Sequence, residues 1–106
     1  MAPVSVRIVT APDASCGGTT WSEAVGMIRD RLARRFGEAA VVEHVTLFSS
    51  RFFELPDMAA AVEAGADLPL VEIGGAIVSR GGKLSEPRIA QALRAAGAGE
   101  AARREA

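Results

Sequence analysis

The stretch Asp67-Leu68-Pro69-Leu70-Val71-Glu72-Ile73-Gly74-Gly75-Ala76-Ile77-Val78-Ser79 decides the fold. Leu68-Pro69 introduces an extended segment, because the residue ahead of a proline is held away from the helical region. Residues 70–73 that follow are aliphatic enough to read as a strand. Gly74-Gly75 fits the two-residue turns that join antiparallel strands, since both central positions of such turns favour positive φ. Residues 76–79 then complete a hairpin. A sheet containing this hairpin is antiparallel in at least one place, and the upstream sequence decides what it is joined to.

Upstream, residues 4–10 (Val-Ser-Val-Arg-Ile-Val-Thr) alternate and are rich in β-branched side chains, which predicts a first strand. Pro12 and Gly17-Gly18 make a loop. Thr20-Trp21-Ser22-Glu23 has capping-box spacing, and Trp21, Val25, Ile28, Leu32 and Phe36 recur at helical intervals as one apolar face, closed by Gly37. Residues 40–48 read as a second strand covered on both faces. Pro56 opens a second helix whose Met58, Ala61 and Val62 face inward until Gly65 stops it. After Gly81-Gly82, Ser85 or Glu86 opens a last helix with Pro87 in its first turn and Ile89, Ala92, Leu93 and Ala96 on its inner stripe, ending at Gly97.

The order is therefore β-α-β-α-β-β-α. Two strands joined through a helix are parallel and the hairpin is antiparallel, so an α/β fold with a mixed four-stranded sheet flanked by helices is expected. With 106 residues the chain is read as one domain over residues 1–97, followed by a flexible tail over 98–106 that has no large apolar side chain.

Composition narrows the function. Hydrophobic residues make up 49% and charged residues 24%, which excludes a disordered chain, and a net charge of −1 speaks against a nucleic-acid binder that works by phosphate neutralisation. No apolar run reaches the roughly 20 residues a membrane helix needs, so a cytoplasmic protein with no membrane partner is expected. One cysteine allows no internal disulfide and no cysteine-rich metal site, and no metal ligand set is assigned.

That cysteine, Cys16, lies in Cys16-Gly17-Gly18-Thr19 between the first strand and the first helix. A thiol at such a turn sees unpaired backbone N–H groups and the positive end of a helix, both of which favour thiolate. Gly17 and Gly18 let a partner approach the backbone, and the Thr19 hydroxyl is placed to donate to sulfur. The other reading of Cys16 is an incidental thiol in a glycine turn.

This order of elements, with a cysteine at the first strand-to-helix junction and Leu68-Pro69 ahead of the hairpin, resembles the thioredoxin fold, most closely the small monothiol glutaredoxins. Cys16-Gly17-Gly18-Thr19 is similar to their Cys-Gly-Phe-Ser motif, Pro69 stands where the family carries a cis-proline facing the thiol, and Gly81-Gly82 stands where a glycine pair helps seat glutathione. The chain differs in having Asp67-Leu68-Pro69 for Thr-Val-Pro and no cation over residues 11–15.

The resemblance implies a thiol–disulfide oxidoreductase in which Cys16 and Thr19 are catalytic. It also implies that Gly17, Gly18, Leu68, Pro69, Gly81, Gly82 and Lys83 bind substrate. Its substrates would be protein or small-molecule disulfides, with no tightly bound cofactor, glutathione as external co-substrate, and a monomeric or weakly dimeric state. Two further readings stay open. One is an iron–sulfur carrier in which two chains contribute Cys16 and two glutathiones; the other is a non-catalytic adaptor. Structural alternatives accompany each motif: a trans proline that simply starts a strand at Pro69, and a plain turn at Gly81-Gly82. His44, on the second strand, reads as a surface or satisfied-core histidine remote from Cys16, and Arg29, Arg31, Arg34 and Arg35 read as a solvated helix face.

Overall fold

The computed structural model describes residues 3–13 and 20–99. Cys16, Gly17, Gly18 and Thr19, and the tail beyond residue 99, lie outside these residues.

Four strands form one sheet: β1 (Val4–Thr10), β2 (Ala40–Thr46), β3 (Leu70–Ile73) and β4 (Ala76–Arg80), in the spatial order β2-β1-β3-β4. β1 runs parallel to β2, with Ile8 opposite His44, and antiparallel to β3, with Val9 opposite Leu70. β3 and β4 form the expected hairpin, in which Ile73 pairs with Ala76 and the two turn glycines take φ +59° and +90°. An alanine at either position would have to adopt a left-handed backbone, which is why glycine serves there. The sheet is therefore mixed, parallel between β1 and β2 and antiparallel in its other two pairings.

Helices cover both faces. α1 (Trp21–Phe36) and α4 (Glu86–Ala95) lie on one side, where Val25, Ile28, Leu32, Phe36, Ile89 and Leu93 pack on Val6, Ile8, Val71 and Ile73. On the other side, α2 (Ser50–Phe53) and α3 (Pro56–Glu63) bring Phe52, Leu55 and Met58 against Val9, Val45 and Leu70. The period-two alternation of β1 sends Val6 and Ile8 to one core and Val9 to the other. β3 is buried at all four residues because it has a strand on each side and helices on each face, whereas β4 alternates between exposed and half-buried, as an edge strand does.

Local signals place the helix starts. Thr20 caps α1 by accepting a hydrogen bond from the Glu23 N–H at 3.1 Å, and Ser85 caps α4 by accepting from the Arg88 N–H at 3.4 Å. Pro56 occupies the first turn of α3, as expected.

Several features depart from the sequence reading, among them the exposed Ala96, whose expected place on the inner stripe of α4 is taken by Ala90. β2 stops at Thr46 rather than running to residue 48, because Phe48 takes φ +64° and turns the chain. Ser49 then accepts from the Phe52 N–H at 3.3 Å and starts the short helix α2, which sequence reasoning missed. Ala98, expected in the tail, is instead packed in the α1/α4 core and donates its N–H to the Leu93 carbonyl at 2.9 Å. No helix among the described residues is long and apolar enough to cross a membrane.

Candidate active site at the carboxyl end of the first strand

Sheet register fixes which motifs meet. Leu70 lies opposite both Val9 and Arg80, so Leu68-Pro69, the exit of β1 and the Gly81-Gly82 turn all gather at one end of the sheet. The Leu68–Pro69 peptide bond is cis, and the Pro69 carbonyl accepts a hydrogen bond from the Gly81 N–H at 2.9 Å. Pro69 and Gly81 are buried, Leu68 is half-buried, and Gly82 and Lys83 are exposed. Gly81 has no room for a side chain: with φ at +82°, a Cβ there would lie 2.8 Å from the Asp67 Cβ. Two of the three sequence motifs are thus in direct contact, and the loop carrying the third leaves β1 at the same end. The positions of Cys16, Gly17, Gly18 and Thr19 fall outside the described residues.

Polar groups that sequence reasoning did not bring together flank this end. The Thr10 side chain is fully buried; its hydroxyl donates to the Ala11 carbonyl at 3.0 Å and sits 2.7 Å from His44 Nε2. With the hydroxyl proton committed to Ala11, His44 Nε2–H is the donor in that contact. His44 is therefore a satisfied, half-buried histidine, one of the two readings its sequence allowed. Burial pushes its imidazole below the usual 6.5, the Asp13 charge opposes this, and the Arg29 charge adds to it.

Asp13 closes the described part of the loop. Its carboxylate accepts from the Ser22 hydroxyl at 2.5 Å and from the Ser22 N–H at 3.0 Å, tying the loop to the first turn of α1. These bonds hold Asp13 below its usual 3.8. The carboxylate thus takes up an N–H of the kind otherwise left unpaired at a helix start. Trp21 is half-buried beside it.

Phe48 and Phe53 stand 64% exposed, stacked on each other at 6.2 Å with an interplanar angle of 17°, and both rings meet the buried Phe52 edge-on. Their turn is joined to the exit of β1 by the Leu47 N–H, which donates to the Thr10 carbonyl at 2.8 Å. The exposed rings therefore adjoin the same end of the sheet.

A charged row crosses the middle of the sheet, where α2 adds Arg51. Arg7 lies opposite Glu43 on β2 and Glu72 on β3, and donates to Glu72 at 2.8 Å although that side chain is only 5% exposed. Arg51 of α2 binds Glu43 through both Nε, at 2.7 Å, and Nη2, at 3.2 Å. That hydrogen bonding holds the Glu43 carboxyl below its usual 4.5 despite opposing desolvation. Of the helix arginines, Arg29, Arg31 and Arg34 are exposed as expected, while Arg35 is half-buried and ion-paired with Glu86 of α4. Among the described residues no group of three or more His, Cys, Asp or Glu side chains is placed to hold a metal ion.

No protein-family model, no curated protein and no solved structure matches the chain. The mixed four-stranded α/β architecture therefore stands on the coordinates and the sequence together.

Proposed function

We propose that the chain is a thioredoxin-like, glutaredoxin-related monothiol oxidoreductase with Cys16 as nucleophile and glutathione as external thiol. The observation that carries this reading is the hydrogen bond between the Pro69 carbonyl and the Gly81 N–H, at the end of the sheet where β1 leads into the Cys16 loop. A proline-headed strand and a glycine pair that were separate in sequence thereby meet at the end of the sheet from which the chain runs on toward Cys16.

The chemistry follows from one sulfur. The Cys16 thiolate attacks a protein–glutathione disulfide at the glutathione sulfur, forming a Cys16–glutathione disulfide and releasing the protein thiolate. A second glutathione thiolate attacks that mixed disulfide, regenerating Cys16 and leaving as oxidised glutathione. With no second cysteine in the chain, the resolving thiol has to come from outside. The alkylation rate of Cys16 measured against pH tests the premise. The reading requires a thiol pKa below the roughly 8.5 of free cysteine, and a value at or above that figure removes the case for catalysis.

One observation favours a second reading, the non-catalytic adaptor: the exposed Phe48–Phe53 pair offers aromatic surface of the kind enriched at protein interfaces. A Cys16→Ser variant separates the two. Loss of disulfide reduction with loss of cellular function fits the enzyme, and full cellular function in the variant fits the adaptor.

A further inference from the structure

A groove of about 230 Å³ runs between the edge strand β4 and α4, on the α1/α4 face of the sheet. Its floor is apolar, with Val71, Ile89 and Ala92 contributing, while Lys83 and Arg88 supply charge. Among the described residues no acidic side chain lines it. Glu86, the nearest carboxylate in sequence, is taken by Arg35 of α1. Neither Lys83 nor Arg88 makes a side-chain ion pair among the described residues, and both are exposed. A cavity this small falls below the range of about 300–1,000 Å³ common for drug-sized ligands.

We propose that this groove binds a small monocarboxylate with a short apolar tail, its carboxylate held by Lys83 and Arg88 and its tail lying on Val71, Ile89 and Ala92. Charge complementarity selects the head group: two unpaired cations without an acid beside them favour an anion and disfavour an amine. The floor selects the tail, because burying methylene groups on aliphatic side chains is favourable and acetate has none to bury. The site uses neither Cys16 nor the Leu68–Pro69 segment but shares Lys83 with the substrate set of the redox reading, and the glutathione arm of the titration separates the two.

Titrating the full chain with sodium hexanoate, followed by backbone amide NMR, tests the proposal. Saturable shifts are expected at Ser79, Lys83, Arg88 and Ile89, with hexylammonium and acetate each binding at least tenfold more weakly. A Lys83→Gln/Arg88→Gln variant should weaken hexanoate binding at least tenfold. Ala95→Trp, which fills the groove from an exposed helix position, should abolish binding while the remaining amide shifts confirm an intact fold. Three results would overturn the proposal: hexylammonium binding as tightly as hexanoate, unchanged affinity in the double variant, or reduced glutathione saturating the same amides more tightly than hexanoate does. The last outcome would assign Lys83 and Arg88 to the thiol substrate instead.

Discussion

Gly81 is the residue on which the candidate site closes, since its N–H binds Pro69 and its missing Cβ leaves room for Asp67. Gly81→Ala would force both a left-handed backbone and a 2.8 Å approach to the Asp67 side chain, so a loss of about 1–3 kcal/mol is expected from denaturant unfolding. At Gly82, where φ is +76°, an added Cβ would meet nothing within 4 Å, so Gly82→Ala would feel only the backbone cost. His44 sets a pH dependence of defined sign. Its folded-state pKa lies below the usual 6.5, so the unfolded chain binds the proton more readily. The stability it contributes is complete above about pH 6.5 and declines as the pH falls through the lower folded-state value. Glu43 acts in the same direction at lower pH, with its contribution present above 4.5 and lost as the pH falls through its depressed folded value. Since His44 is the single histidine of the chain, a His44→Gln variant should flatten the slope of urea midpoint against pH just below about 6.5 while leaving the acid limb in place.

At the scale of elements, the sheet separates two cores, and substitutions on either side should act independently. Leu32→Ala in α1 and Met58→Ala in α3 each empty a fully buried position, for an expected loss of about 2–5 kcal/mol, and the double variant should approach the sum. The Glu43–Arg7–Glu72 row behaves differently. Arg7→Met leaves the nearly buried Glu72 carboxylate without its partner and should destabilise by more than the paired Arg7→Met/Glu72→Leu change, because a buried charge costs most when it is unpaired. Element order was legible because Gly, Pro and capping residues mark each boundary: Thr20, Pro56, Gly74-Gly75 and Ser85 all act as their sequence context predicts. Helix α2 was not legible, since Phe48 is a large side chain in a left-handed turn, a conformation that sequence propensity assigns to Gly or Asn. The charged row and the Thr10–His44 contact were hidden for another reason. Both depend on strand register, which places residues 34 and 65 positions apart side by side and which no local pattern announces.

For the molecule as a whole, one end of the sheet gathers Pro69, Gly81, Thr10, His44, the Asp13–Ser22 tie and the exposed phenylalanine pair, while its middle carries the Arg7 network. The motifs of the candidate site could be found from sequence because each is a short run of unusual residues. Their contact could not, because it follows from the β2-β1-β3-β4 order. Function at the first end turns on whether Cys16 behaves as a thiolate toward glutathione. Mass spectrometry of the full chain after exposure to oxidised glutathione tests this most directly. One glutathione per chain is expected, disulfide-bonded to Cys16 and removed by reduced glutathione; a chain that stays unmodified under conditions that label free cysteine would contradict the redox reading.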